Sequence, residues 1–131
     1  MDRGGIPRRR KSLRQMVQYL VRRRFWGAHV APSAWIDPTA SIDRTHPAGI
    51  HIEDDVWIGP YAMVLSHDMS RGLYANTRVG ARIAIGARAV IMPGVTVGAD
   101  CVIAPGSVVS RDVPAGSHVA GNPARLLRAG G

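Results

Sequence analysis

Residues 79–114 read VGARIA, IGARAV, IMPGVT, VGADCV, IAPGSV and VSRDVP when they are divided into groups of six. The first residue of every group is Val or Ile. A spacing of six fits neither the 3.6-residue repeat of an α-helix nor the two-residue alternation of a flat strand. It is typical of a parallel β-helix, in which short rungs stack and the chain turns a corner after each rung. The stretch therefore predicts an all-β fold.

The same spacing continues upstream, with two interruptions. The group-opening residues there are again all Val or Ile: Val30, Ile36, Ile42, Ile52, Ile58 and Val64. Three groups make one triangular coil, so we predict about four coils, at residues 30–47, 52–69, 79–96 and 97–114. A second position, four residues after each opening residue, is predicted to face the interior in ten of the twelve groups. The exceptions are His46 and Asp68, which precede the interruptions at 48–51 and 70–78. Breaks in a repeat become loops, and loops often carry function.

Positive charge is concentrated at the start of the chain. Residues 1–24 contain nine Lys or Arg and one Asp, whereas the remaining residues contain eight of each sign. The high pI of the chain thus arises from a basic N-terminal arm and does not indicate a nucleic-acid-binding domain. Within the arm, residues 12–26 have apolar residues at helical spacing, with Ser12 as N-cap and Gly27 as the stop. We predict an arm with an amphipathic helix at 1–28 and a β-helix domain at 29–131.

The helix of the arm has two interpretations. It can cover the open end of the β-helix, which repeat folds need and which we favour. It can also lie on an anionic membrane at the inner face, as basic amphipathic helices do. The chain has no apolar run long enough to span a membrane, no recognisable signal peptide and a single cysteine, Cys101. We therefore expect a cytoplasmic protein.

Three motifs resemble those of the hexapeptide-repeat acyltransferases: the groups of six, LSHD at 65–68, and SRDVPAGSHVAGNPARLLR at 110–128. The resemblance covers about residues 30–128 and is greatest to the sugar O-acetyltransferases. It implies a left-handed parallel β-helix with a short C-terminal tail, a homotrimer, and acetyl-CoA as acyl donor. The implied activity is O-acetylation of a hydroxyl on a sugar or a polysaccharide precursor. The alternative is a catalytically silent trimeric scaffold.

Acetyl transfer to an alcohol needs a base, and a neutral imidazole is suited to that task. His67 stands where the family has its catalytic histidine. Asp68 is a candidate to orient His67, to bind acceptor hydroxyls or to cap the loop. The acceptor site is expected to include His46, His51 and Tyr74. His46 and His51 also have a metal-like spacing, but the third histidine that related zinc enzymes carry upstream is missing, so we predict no metal.

The resemblance also implies a CoA groove between subunits, lined by small residues at coil corners. The matching positions are Ala84, Ala87, Ala104 and Pro105, and the N–H of Ala87 is a candidate to bind the thioester oxyanion. Two departures from the family favour the scaffold alternative: Ala84 replaces a frequent tryptophan, and Pro105 has no N–H to donate. The basic residues expected to bind the CoA phosphates are Arg111, Arg125 and Arg128.

Overall fold

The computed structural model describes residues 12–17 and 27–128. In these ranges the fold contains one helical turn at residues 13–17, a 3₁₀ turn at Pro47–Gly49 and sixteen short strands. The strands, numbered in chain order, are β1 His29–Val30, β2 Trp35–Ile36, β3 Ser41–Ile42, β4 Ile50–Ile52, β5 Trp57–Ile58, β6 Met63–Val64, β7 His67–Asp68, β8 Leu73–Tyr74, β9 Thr77–Val79, β10 Ala84–Ile85, β11 Val90–Ile91, β12 Thr96–Val97, β13 Val102–Ile103, β14 Val108–Val109, β15 His118–Gly121 and β16 Ala124–Arg128.

Three parallel sheets form the sides of the β-helix. Sheet one has the order β1-β4-β9-β12, sheet two β16-β15-β13-β10-β5-β2, and sheet three β14-β11-β6-β3. Strands that are neighbours in a sheet come from successive coils, as the predicted coil boundaries require. Only β16 pairs antiparallel within these three sheets.

The register stacks the predicted residues directly on one another. Ile36, Ile58, Ile85 and Ile103 form one column in sheet two. Corresponding columns run through the other two sheets. Eleven of the twelve opening residues are buried and Ile36 is half-buried. Each buried Val or Ile contributes about 1.5–3 kcal/mol, so these columns are the core.

The second inward position is confirmed as well. All ten residues predicted there are buried: Ala34, Ala40, Val56, Ala62, Ile83, Ala89, Val95, Cys101, Ser107 and Val113. Six of these ten side chains are small (Ala, Cys or Ser), which suits the narrow corners of a triangular interior. The two exceptions, His46 and Asp68, lie where the chain leaves the coil.

Two details differ from the expectation. The second excursion begins earlier than residue 70, because β7 and β8 form an antiparallel hairpin that starts at His67. The C-terminal segment is more than a tail. After Pro114 the chain forms β15, which extends sheet two beyond β13, and then folds back as β16. Pairing with β13 satisfies backbone groups that the last full coil would leave exposed.

The first helical turn is capped as predicted. The N–H of Gln15 donates to the Ser12 hydroxyl (3.3 Å), and the N–H of Ser12 donates to the Gln15 side-chain oxygen (2.8 Å). This reciprocal arrangement is a capping box. Most of the arm lies outside the described residues, so its division at residue 28 and its two interpretations stay predictions. Within the described ranges, no helix has the length and apolar character needed to cross a bilayer.

Candidate active site

A buried carboxylate, Asp43, organises the corner where the chain passes from sheet three to sheet one. Its Oδ1 accepts the N–H groups of Thr45 (2.8 Å) and His46 (3.0 Å). Its Oδ2 accepts the N–H groups of Ser66 (2.9 Å) and His67 (3.0 Å). One side chain thus joins two successive coils, which are more than twenty residues apart along the chain.

The surroundings of Asp43 keep it ionised. Burial by itself raises the pKa of this carboxyl group. The N–H groups of Ser66 and His46, the His67 side chain and the N–H of Thr45 outweigh that effect and lower the pKa from 3.8 to about 2. Hydrogen bonds that donate to a carboxylate favour its charged form. Asp43 is therefore an anion across the physiological range.

His67 is the partner of this anion. Its Nδ1 lies 2.5 Å from Asp43 Oδ2, and the His67 side chain is 20% exposed while that of Asp43 is fully covered. Because Asp43 is an acceptor only, Nδ1 carries the proton and donates it to the carboxylate. The lone pair of the neutral ring is then on Nε2. The pair Asp43–His67 is thus a carboxylate–imidazole dyad with one nitrogen free to accept a proton.

Acidification is expected to remove stability through Asp43. Its folded-state pKa lies below the unfolded value, so the contribution is complete above about pH 4 and disappears as the pH falls through 2. The difference corresponds to about 2 kcal/mol of unfolding free energy. Urea unfolding between pH 6 and pH 2 measures it, with Asp43→Asn as the comparison. An Asn variant whose stability falls with acid as steeply as that of the wild type contradicts this prediction.

Asp68 does not take the orienting role that was considered for it. Its Oδ1 accepts the N–H (2.9 Å) and hydroxyl (2.6 Å) of Ser70, and its Oδ2 accepts the Nε–H of Arg71 (2.6 Å). These bonds, the Ser70 hydroxyl first and then Arg71, lower the pKa of Asp68 to about 2. The Asp68 carboxylate therefore caps the turn of the β7–β8 hairpin, which is the third of the predicted alternatives. The carboxylate that binds the His67 ring is that of Asp43.

The structure brings two of the predicted acceptor residues to the dyad. The Tyr74 ring lies 6.2 Å from the His67 ring and 5.4 Å from the His46 ring, which it meets edge to face. Gly49 allows this arrangement, because a Cβ there would overlap the carbonyl oxygen of Ala75 and the imidazole of His46. Tyr74 is 60% exposed, so the cluster presents an aromatic surface beside the free nitrogen of His67.

His51 lies apart from this cluster. On the outer surface of sheet one its ring stacks on that of His29, with centroids 4.7 Å apart. Its Nε2 is 3.2 Å from the Asn76 side-chain oxygen. No group of three His, Cys, Asp or Glu side chains suited to a metal occurs within residues 12–17 and 27–128.

Sequence reasoning did not find Asp43, nor the buried hydroxyls that support the hairpin base. The Ser66 hydroxyl donates to the His46 carbonyl oxygen, and the Thr77 hydroxyl donates to that of Leu65 (2.5 Å). The available signal was positional. Asp43 directly follows Ile42, the last Val or Ile of the repeat before the first interruption. No neighbouring residue in the sequence marks His67 as its partner.

Three of the four small residues matched to a CoA groove, Ala87, Ala104 and Pro105, lie together at another corner, between sheets two and three. We call it the small-residue corner, residues 58–62, 85–89 and 103–107. Ala84 precedes it on β10, in register with Trp57 below and Val102 above. The N–H of Gly106 donates to the Ala87 carbonyl oxygen (2.8 Å). Gly86 packs so closely under Pro105 that a Cβ would collide with the proline ring. Ala104 pairs with β15 through its N–H.

The three arginines assigned to CoA phosphates are all exposed. Arg125 and Arg128 lie on β16, at the C-terminal end of sheet two, opposite Ala120 and His118. Arg111 follows β14 at the same end of the β-helix. All three thus lie at the C-terminal end of the β-helix, with Arg111 at the corner between sheets three and one.

Residues 76–111 match the family model described as bacterial transferase hexapeptide (six repeats). The nodulation protein L of Rhizobium meliloti is 48% identical over 88 residues, which cover 60% of this chain and 48% of that protein. The chain spans about half the length of the curated relatives it matches.

Solved structures extend the likeness to nearly the whole fold. A hexapeptide-repeat acetyltransferase of Vibrio cholerae, complexed with acetyl-CoA, has a TM-score of 0.72 and 28% identity, covering 91% of this chain and 79% of that one. A maltose O-acetyltransferase of Clostridium difficile has a TM-score of 0.68 at 21% identity, covering 95% of this chain and 80% of that one. The latter likeness concerns the fold alone. Together these matches confirm the predicted left-handed parallel β-helix.

Proposed function

We propose that this chain is an O-acetyltransferase of the hexapeptide-repeat family, because residues 76–111 match that family model and the fold resembles that of a solved hexapeptide-repeat acetyltransferase. In this proposal it moves the acetyl group of acetyl-CoA to a hydroxyl of a sugar or a polysaccharide precursor. The single observation that carries the proposal is the Asp43–His67 dyad, with its free Nε2 beside an exposed tyrosine. It is the arrangement that a general base for an alcohol needs.

The dyad supplies both proton transfers of the reaction. His67 Nε2 accepts the hydroxyl proton as the sugar oxygen attacks the thioester carbonyl carbon. When the carbon–sulfur bond breaks, the same nitrogen returns the proton to the departing thiolate of CoA. Asp43 stays ionised throughout, holds the ring in one tautomer and stabilises the positive imidazolium between the two transfers. Atoms and charge balance with no further reactant.

The donor is expected to lie along the small-residue corner. The N–H of Ala87 is the candidate donor to the developing oxyanion, a contribution of about 3 kcal/mol where such a bond is made. Arg111, Arg125 and Arg128 are candidates for the phosphates, because a guanidinium fork fits phosphate oxygens. Their position at the C-terminal end of the β-helix supports this assignment, since they are separated from the dyad by two coils.

A homotrimer is part of the proposal. The outer surface of sheet three presents apolar side chains between its two corners. Met63 is 38% exposed, and Val90 and Val108 are half-buried in the single chain. If three copies turn these surfaces toward a common axis, the small-residue corner of one copy lies beside the hairpin of the next. His67 and the donor would then meet between subunits.

The acceptor site in this proposal is formed by His46 and Tyr74 beside His67. An exposed aromatic ring suits the apolar face of a sugar, and His46 offers a hydrogen bond to a neighbouring hydroxyl. His51 remains a more distant candidate. We place the protein in the cytoplasm, with the basic arm either covering the end of the β-helix or touching an anionic membrane surface.

The second candidate is a trimeric scaffold without catalysis, which Pro105 and Ala84 favour. Calorimetry with CoA and release of free thiol from acetyl-CoA with a panel of neutral and charged sugars separate the two. An enzyme binds CoA and releases thiol only when an accepted sugar is present. A protein that gives no heat with CoA and no thiol with any sugar is a scaffold, and the proposed function is then wrong.

A further inference from the structure

One arginine of the small-residue corner is held by an aromatic ring. The Arg88 Cζ lies 5.1 Å from the centre of the Tyr61 ring, one coil below. Tyr61 is 58% exposed, and Arg88 is also exposed. A guanidinium stacked on a ring is fixed in orientation, yet its N–H donors stay available to a ligand. Neither residue belongs to the set that the sequence pattern identified.

The charge of Arg88 has no counterpart in the described part of the chain. Arg82, one coil corner earlier, donates two hydrogen bonds to Asp100, at 2.7 and 3.1 Å. Arg71 is likewise paired with Asp68. No carboxylate within residues 12–17 and 27–128 forms an ion pair with Arg88. Its guanidinium is therefore the positioned cation of this corner that is open to an external anion.

The backbone conformation at this corner favours glycine, so the large side chains that occur there are informative about the site. Tyr61 and Arg88 have φ of 57° and 60°, a conformation that glycine adopts without strain. The next residue of the same column is Gly106, with φ 71°. Arg82, at a different corner, has φ 57°, so it is matched to Arg88 in residue type and backbone conformation.

The position of Arg88 decides which anion it would meet. It directly follows Ala87, the residue proposed to hold the thioester oxygen. The phosphates of CoA lie at the far end of the pantetheine arm from the thioester, so they are not at this place. Apart from the transient oxyanion and thiolate of the reaction itself, an anion near the reacting carbonyl must therefore belong to the acceptor.

The hairpin of the same chain is remote from Arg88. Tyr61 and Ser66 are five residues apart along one coil, or about 16 Å of extended backbone. The apolar surface of sheet three lies between them. In the proposed trimer, however, the small-residue corner of one copy adjoins the hairpin of the next. Arg88 would then face His67 and Tyr74 of the neighbouring copy across the acceptor.

We propose that Arg88, stacked on Tyr61, selects acceptors that carry a negative group, a carboxylate or a phosphate ester, near the hydroxyl to be acetylated. This inference rests on the proposed function and adds the substrate class to it. A guanidinium fork binds either anion through paired N–H···O bonds. Tyr61 orients the fork and covers one face of it.

The test compares acceptors that carry a negative group with related neutral acceptors. Methyl glucuronide and glucose 6-phosphate are compared with methyl glucoside, and sialyllactose with lactose, in the thiol-release assay on the full chain. The readout is kcat/KM for each acceptor. Arg88→Gln removes the charge, Arg88→Lys keeps it without the fork, and Arg82→Gln is the matched control. Tyr61→Leu removes the ring, whereas Tyr61→Phe keeps it.

The wild type is expected to favour a charged acceptor over its neutral match. Arg88→Gln should lower the charged-to-neutral ratio of kcat/KM about tenfold to a hundredfold, because one charge-assisted hydrogen-bond pair is lost. The change should appear mainly in KM. Arg88→Lys and Tyr61→Leu should lower the ratio less, and Arg82→Gln and Tyr61→Phe should keep it. The carboxylate and phosphate arms identify the preferred anion.

Two results overturn the inference and leave the proposed function intact. One is a wild type that acetylates neutral acceptors as well as charged ones. The other is an equal fall of kcat/KM for both acceptor classes in Arg88→Gln, which would assign Arg88 to the donor or the leaving thiolate. A wild type that transfers acetyl to no sugar overturns both proposals.

Discussion

Replacement of His67 by alanine is expected to lower the rate of acetyl transfer by a factor of about 10²–10⁴, the usual contribution of a positioned general base. The alcohol would then have to lose its proton to water, and the departing thiolate would have no nearby acid. The ring is half-buried at the base of the projecting hairpin and lies outside the core columns, so its loss should leave those columns unchanged. Steady-state thiol release with saturating acetyl-CoA measures the effect.

The fall should appear in kcat with little change in CoA binding, because the donor is expected at a different corner. Calorimetry with CoA checks this separation on the same sample. His29→Ala is the control, since His29 lies on sheet one and contacts His51 and not the dyad. A His67→Ala protein that retains full turnover with any accepted sugar would contradict the mechanism.

Replacement of Asp43 by asparagine is expected to lower kcat by about 10²–10⁴, nearly as much as loss of His67 itself. Both carboxylate oxygens accept N–H groups in the native structure. The amide of asparagine has one oxygen, so it can accept either the N–H groups that bind Oδ1 or those that bind Oδ2, but not both. If its NH₂ faces His67, it donates to Nδ1, and the ring proton moves to Nε2. The nitrogen that should accept the substrate proton is then occupied.

The same variant should also be less stable, because an NH₂ group would face two backbone N–H donors in a fully covered site. The expected cost is about 1–3 kcal/mol, which urea unfolding at pH 7 measures. ¹⁵N NMR of His67 separates the two effects, since the tautomer change occurs in molecules that remain folded. The matched control is Asp68→Asn, which alters the cap of the hairpin turn. If Asp68→Asn lowered kcat more than Asp43→Asn, the orienting carboxylate would be Asp68 after all.

The regular part of the fold was predictable because its determinants are local and repeated. Val79, Ile85 and Ile91 each begin one side of a coil. The residues eighteen positions later begin the same sides of the next coil. Burial follows from the pattern itself, since a β-branched residue every sixth position fits only a stack of short rungs. His67 was found because it stands in a short motif at a break in that pattern. Tyr74 and His46 were found because they lie in or beside the breaks.

What the sequence by itself determined is thus the β-helix, its coil boundaries and the histidine at its largest interruption. Only the tertiary structure decided which carboxylate that histidine contacts. Asp68 is adjacent in sequence, but its side chain turns into the loop and binds Ser70 and Arg71. Asp43 is 24 residues away and becomes a neighbour because one coil stacks on the next. Contacts between coils depend on the lengths of the insertions between them, and these lengths follow no repeat. The Arg88–Tyr61 pair arises in the same way, from the stacking of two corners.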